Sequence, residues 1–108
     1  MSRSVLLTDG AARDLDELYA GAYDRGGAAE ANRMLDRIEV AFSWLHDRAD
    51  RGEPIPALRE LGMHEALQLH LEDVRLTYRL QQDEVHVVSL APLGRSAQAL
   101  VQRRMLDA

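Results

Sequence analysis

A chain of 108 residues, 46% apolar and 29% charged, has the size and composition of one globular domain with a single core. It contains no cysteine, which removes disulfides and all cysteine-based metal or nucleophile chemistry. Its 13 basic residues, all arginine, face 18 carboxylates for a net charge of −5. A net-negative chain gains little from non-specific attraction to nucleic-acid phosphates, and any such contact has to be local.

The charge is unevenly spread. Between Val85 and Leu106 stand Arg95, Arg103 and Arg104 with no carboxylate, so a basic C-terminal end is expected on an acidic body. The opening "MSRSVLLTDG" holds too short an apolar run for a secretory signal, and no segment approaches the length of a membrane span. A cytoplasmic protein with no membrane association is expected. No internal repeat or low-complexity tract breaks the chain, which reads as one domain over 1–108.

"SVLLT" (Ser4–Thr8) is a short apolar run of β-formers and predicts a first strand. Thr8 or Asp9 then supplies a helix N-cap. Ala11, Leu15, Leu18, Tyr19, Ala22 and Tyr23 recur at helical spacing, predicting an amphipathic helix over about 11–24. "RGG" at 25–27 breaks it, because paired glycines tolerate the left-handed backbone that ends helices.

A longer helix is predicted from Ala28 to Arg48, with Ala31, Leu35, Ile38, Phe42 and Leu45 on one stripe and Trp44 at its edge. A glycine turn between two such helices makes an antiparallel hairpin. Pro54 and Pro56 then hold an extended loop.

In "HEALQLHL" Leu67, Leu69 and Leu71 alternate with Gln68 and His70, so this is read as a strand ending in a turn at "ED". Val74, Leu76, Tyr78 and Leu80 alternate with Arg75, Thr77, Arg79 and Gln81, the pattern of a half-buried strand. "VHVVSLA" is almost continuously apolar, as a central strand would be, and Pro92 and Gly94 stop it. "SAQALVQRRML" predicts a last helix capped by Ser96, with Ala97, Leu100 and Val101 turned inward. Arg103 and Arg104 fall near its C-terminal end, where positive charge is favoured.

The order is therefore β-α-α-β-β-β-α. The fold expected is α+β: an antiparallel four-stranded sheet, an N-terminal helical hairpin packed on one face, and a C-terminal helix.

"LLTDGAARDLDELY", "RGEPIPALRELG" and above all "VRLTYRLQQDEVHVVSLAPLGR" together resemble the RelE/ParE superfamily of type II toxin–antitoxin toxins over nearly the whole chain. Val74-Arg75, Tyr78-Arg79, Asp83-Glu84 and Gly94-Arg95 fit its arginine-tyrosine strand, acidic turn and glycine-arginine strand end. The resemblance implies a toxin neutralised by a protein antitoxin, with no cofactor. It implies further that a RelE-like member would cut mRNA on the ribosome, whereas a ParE-like member would poison DNA gyrase by binding it. A degenerate, non-toxic member pairing with an antitoxin or with itself is the third reading, and a homodimer is compatible with any of them.

The RelE-like reading is taken as the leading expectation, because Arg75 and Arg95 match the two arginines that this branch brings together on its concave face. A guanidinium offers paired donors to two phosphate oxygens and stays charged at any working pH. Where charge develops on a phosphate, one such donor contributes several kcal/mol, about 2.7–4 in oxyanion-hole precedents.

Three positions depart from that branch. Ala66 and Gln68 stand where it carries lysines, and Val101 stands where it carries a tyrosine. The nearest substitutes for a general acid or base are His64, His70 and His86, since imidazole titrates near neutrality, and His86 completes the candidate site Arg75, Arg95 and His86. A two-residue turn at Gln82-Asp83 would place His86 opposite Arg79 on the polar side. A three-residue turn would place it opposite Tyr78 in the core.

Overall fold

The computed structural model describes residues 2–92 and 104–105. Strand β1 (Ser4–Leu7) leads into a long helical element, α1 (Asp9–Arg48), followed by one 3₁₀ turn at Ala49–Arg51. A two-residue strand β2 (Glu53–Pro54) and a single helical turn α2 (Pro56–Arg59) come next. Three strands complete the sheet: β3 (Ala66–Leu71), β4 (Val74–Gln81) and β5 (Glu84–Pro92).

Thr8 caps α1, its hydroxyl accepting the Ala11 N–H at 3.2 Å, and Asp9 in the first turn complements the helix dipole. A continuous helix of 40 residues would be about 60 Å long, yet the longest axis of the molecule is 41 Å. The element folds back at Gly26 and Gly27, where the backbone leaves helical values and Gly27 takes φ +71°. The ends of α1 confirm the reversal. The Arg3 N–H donates to the His46 carbonyl at 2.9 Å, and His46 Nδ1 lies 2.7 Å from the Arg3 carbonyl, one short strand away from Thr8. The expected helical hairpin is thus present, with Ala22 of the first arm packed among Ala31, Met34 and Ile38 of the second.

The sheet differs from the expectation. It has five strands in the order β1-β5-β4-β3-β2, and it is mixed, because β1 runs parallel to β5 while all other pairs are antiparallel. Strand direction is fixed by local sequence only where a tight turn joins neighbours. β1 is followed by the helical hairpin, so nothing in its own residues announced a parallel partner 80 positions on, as in Ser4 opposite Glu84. The extra strand, β2, lies in the stretch expected to be a proline-held loop. It occupies a sheet edge, where a proline that lacks an N–H is tolerated. Pro56 opens α2, the position at which proline suits a helix. Of the predicted last helix, Arg104 and Met105 are helical, and the rest lies outside the described residues.

The two connections between β3, β4 and β5 are two-residue hairpins: Leu71 faces Val74, and Gln81 faces Glu84. Glu72 (φ 26°) and Gln82 (φ 48°) take the left-handed backbone at the first loop position. The helix-side core gathers Val74, Leu76, Tyr78, Val85, Val87 and Leu90 of the sheet against Ala11, Ala41 and Leu45 of α1, with Trp44 partly buried at its margin.

Tyr78 is fully buried, and its hydroxyl donates to the Ala49 carbonyl at 2.5 Å. Burial pushes the phenol up to about 12, with the charge of Asp50 adding to the rise and the Gly52 N–H and Arg3 opposing it. Gly52 is obligatory here, since a Cβ at that position would sit 1.9 Å from the Tyr78 hydroxyl.

Candidate functional site

Strand alternation sends Val74, Leu76 and Tyr78 to the helices and Arg75, Thr77 and Arg79 to the opposite sheet face. Cross-strand pairing sets up three rows on that second face. His70, Arg75 and Ala91 form one row, Gln68, Thr77 and Ser89 the next, and Ala66, Arg79 and His86 the third, with Leu6 of β1 beside His86.

A β-bulge between Thr77 and Tyr78 makes this arrangement. Tyr78 opposes Val87 but Thr77 opposes Ser89, leaving Val88 as the additional residue of β5. Val88 packs with Leu58, Ala66 and Met105 on the second face, whereas Val87 and Leu90 stay in the helix-side core. Without the bulge, Leu90 would oppose Arg75 and turn outward.

The two-residue turn resolves the register left open by sequence: His86 faces Arg79 on the second face and not Tyr78 in the core. Its Nε2 lies 3.3 Å from Glu84 Oε1. Arg79 Nη1 donates to the Met105 carbonyl at 3.4 Å. Arg75 is half-buried, and its Nε is enclosed with no hydrogen-bond partner among the described residues. Arg75 and Arg79 stand four residues apart on β4, about 13 Å at the rise of a strand, so the structure does not bring Arg75 and His86 to one point. The third candidate, Arg95, and the two family positions Gly94 and Val101 lie outside the described residues. His64 and His70 are exposed.

Electrically the two sides differ. Along Asp9–Arg48 there are nine carboxylates against five arginines. The three rows of the second face carry two arginines and no carboxylate, with Glu84 only at their end. Among the described residues the basic side is this sheet face; of the basic C-terminal end expected, Arg95 and Arg103 lie outside the described residues and Arg104 is paired with Asp14. No group of histidine and carboxylate side chains that could hold a metal occurs among the described residues, and no helix among them is long and apolar enough to cross a membrane.

Three features escaped sequence reasoning. Asp14 receives the Leu90 N–H at 2.9 Å and the guanidinium of Arg104, an ion pair between residues 90 positions apart. Gly52 is tied to the Tyr78 hydroxyl, and the β5 bulge reassigns the faces. Only the bulge left a trace in the sequence: "HVVSLA" cannot alternate cleanly, because Val87 and Val88 are adjacent.

The family model described as "ParE toxin of type II toxin-antitoxin system, parDE" matches residues 5–99. No curated protein matches the chain. Among solved structures, the fold is similar to a chain of the "Chromosomal ParDE TA system from P. aeruginosa", with a TM-score of 0.68 and 22% identity over 84% of this chain and 96% of that one. At this identity the likeness speaks for fold. The family match favours the ParE-like alternative over the RelE-like expectation, and ribosome-dependent cleavage finds no support in it.

Proposed function

From a chain that belongs to the ParE toxin family of type II toxin–antitoxin systems, with the antitoxin partner which that membership implies, we propose a toxin that acts by binding DNA gyrase and performs no chemistry of its own. The observation that carries this reading is the family match along 5–99. The geometry of the second face is consistent with it. Cleavage of RNA through a ribose hydroxyl needs a proton acceptor and a charge-stabilising donor at one phosphate. Here His86 is engaged by Glu84, Arg79 by the Met105 carbonyl, and Arg75 lies about four strand positions away. On this reading Arg75 is a contact for an acidic partner surface and His86 is part of the sheet.

A binding toxin needs exposed anchors, and the hairpin offers them. Tyr23 and Val40 are exposed to 52% and 70%, and Tyr23 stacks on Tyr19 with ring centroids 6.5 Å apart. Tyrosine is among the residues that most often dominate binding energy. The acidic surface of this hairpin keeps non-specific DNA at a distance, so engagement would run through protein contacts.

Unopposed expression in bacterial cells tests the reading. The expected result is growth arrest with gyrase-linked DNA breaks and intact mRNA ends in primer extension. Codon-linked mRNA cuts that vanish in Arg75→Ala and Arg95→Ala would overturn it in favour of the RelE-like mechanism.

A further inference from the structure

β5 has nine residues, and β1 pairs with only the first four of them, Glu84 to Val87. From Val88 onward no strand lies along this edge among the described residues. An unpaired edge presents backbone donors and acceptors to any extended chain, and native proteins cover such edges. Here the covering is done by side chains. The Leu90 N–H donates to Asp14 Oδ2 at 2.9 Å, and Arg104 Nη1 donates to the Val88 carbonyl at 3.3 Å.

The two side chains are themselves joined. Arg104 holds the Asp14 carboxylate with both terminal nitrogens, Nη2 donating to Oδ1 at 3.1 Å and Nη1 donating to Oδ2. The site is enclosed, the two side chains being 20% and 11% exposed, so the pair is screened far less than a surface one. Gly10, at the start of α1, makes room for it: a Cβ there would come within 2.9 Å of Arg104 Nε. The next residue continues onto the second face. Met105 is 6% exposed among Leu58, Ala66 and Val88, and its carbonyl accepts from Arg79.

We propose that Arg104 and Met105 form a strap, buckled on Asp14, that closes the free edge of β5 and the Arg79–Val88 part of the second face in the unbound chain. Each anchor has a separate task. The ion pair occupies two backbone groups of β5 that no described strand pairs, Met105 fills an apolar hollow, and Arg79 holds the Met105 carbonyl. Access to this part of the second face is then controlled by a contact between the first arm of α1 and the C-terminal residues. The strap does not depend on whether the target is gyrase.

Methionine oxidation reads the strap in the full chain. Under hydrogen peroxide, Met105 should oxidise as slowly as Met34, which is 3% exposed inside the hairpin and serves as the internal reference. Arg104→Gln and Asp14→Asn should each speed oxidation of Met105 about tenfold through local opening, with Met34 unchanged. Asp14→Asn keeps an acceptor for the Leu90 N–H, so it tests the charge of the buckle without orphaning the backbone. Gly10→Ala, which crowds Arg104 and leaves both charges in place, should move Met105 in the same direction. The proposal is overturned if Met105 of the unaltered chain oxidises at the rate of the urea-unfolded protein, or if the variants stay within about twofold of it. It is equally overturned if Met34 accelerates in step with Met105 in every variant, because the segment would then open only with the whole fold.

Discussion

Removing one oxygen, in Tyr78→Phe, separates the hydroxyl's contribution from the packing of its ring. The ring stays in a fully buried slot, but the Ala49 carbonyl loses the donor that reaches it at 2.5 Å. The lost hydrogen bond costs about 1 kcal/mol net, and the carbonyl left enclosed at the end of α1 raises the total to roughly 2 kcal/mol. Urea unfolding at pH 8 should show this as a lower midpoint at unchanged slope, while Tyr23→Phe, at an exposed position, should be neutral.

The same hydroxyl carries a pH signature. Burial raises its pKa from 10.0 to about 12 in the folded chain, so folding favours the protonated phenol. The resulting stability is fully present below pH 10 and is lost as pH rises toward 12. At pH 11 the loss amounts to roughly 1–2 kcal/mol in the unaltered protein and to nothing in Tyr78→Phe. The gap between the two proteins should therefore shrink by most of its size from pH 8 to pH 11. A gap that stays constant over that range, or is absent at pH 8, would refute the reasoning.

Gly52→Ala should destabilise by about 1–3 kcal/mol, because a Cβ placed 1.9 Å from the Tyr78 hydroxyl forces the pair apart; the Tyr78→Phe background should relieve part of that loss in the same urea assay. Thr8→Ala removes the N-cap acceptor of the Ala11 N–H and should cost about 1 kcal/mol, read as a thermal midpoint lowered by roughly 4–8 °C. Gly27→Ala meets no neighbour within 4 Å but must hold φ +71° with ψ −163°, so its cost should be the backbone alone, about 1–3 kcal/mol in the urea assay. Arg37→Ala breaks contacts to Glu72 at 3.4 Å and Asp73 at 3.6 Å, both partners being well exposed, and should change the urea midpoint by less than about 1 kcal/mol equivalent.

Elements with a local period were legible in the sequence. The apolar stripe Ala31–Ile38–Leu45 and the alternation of Val74 to Gln81 gave the second helical arm and β4, because burial on one side writes itself into spacing. Gly26-Gly27 gave the reversal, since a left-handed φ selects glycine. What stayed hidden depends on residues far apart in the chain. β1 beside β5, the β2 edge, and Asp14 holding Arg104 are settled by packing across the domain, where no short-range pattern reports them.

The candidate site divides in the same way. Arg75 could be placed on a solvent-side strand face from alternation, and His86 could be narrowed to two registers. The bulge at Val88 then shifted the far half of β5 by one residue and set Arg75 opposite Ala91. A one-residue insertion in a nearly continuous apolar run leaves hydrophobicity unchanged, which is why sequence could not date the shift to one position. The choice between two toxin branches rested on short, degenerate motifs, and a match along 5–99 separates them better than two arginines can.

The most direct test of the central claim uses purified protein, DNA gyrase and relaxed plasmid. A gyrase-binding toxin should block supercoiling in proportion to its concentration and trap cleaved gyrase–DNA complexes, with Arg75→Ala weakening the effect and His86→Ala leaving it intact. Unimpaired supercoiling at saturating protein, together with cleavage of mRNA on translating ribosomes, would contradict it.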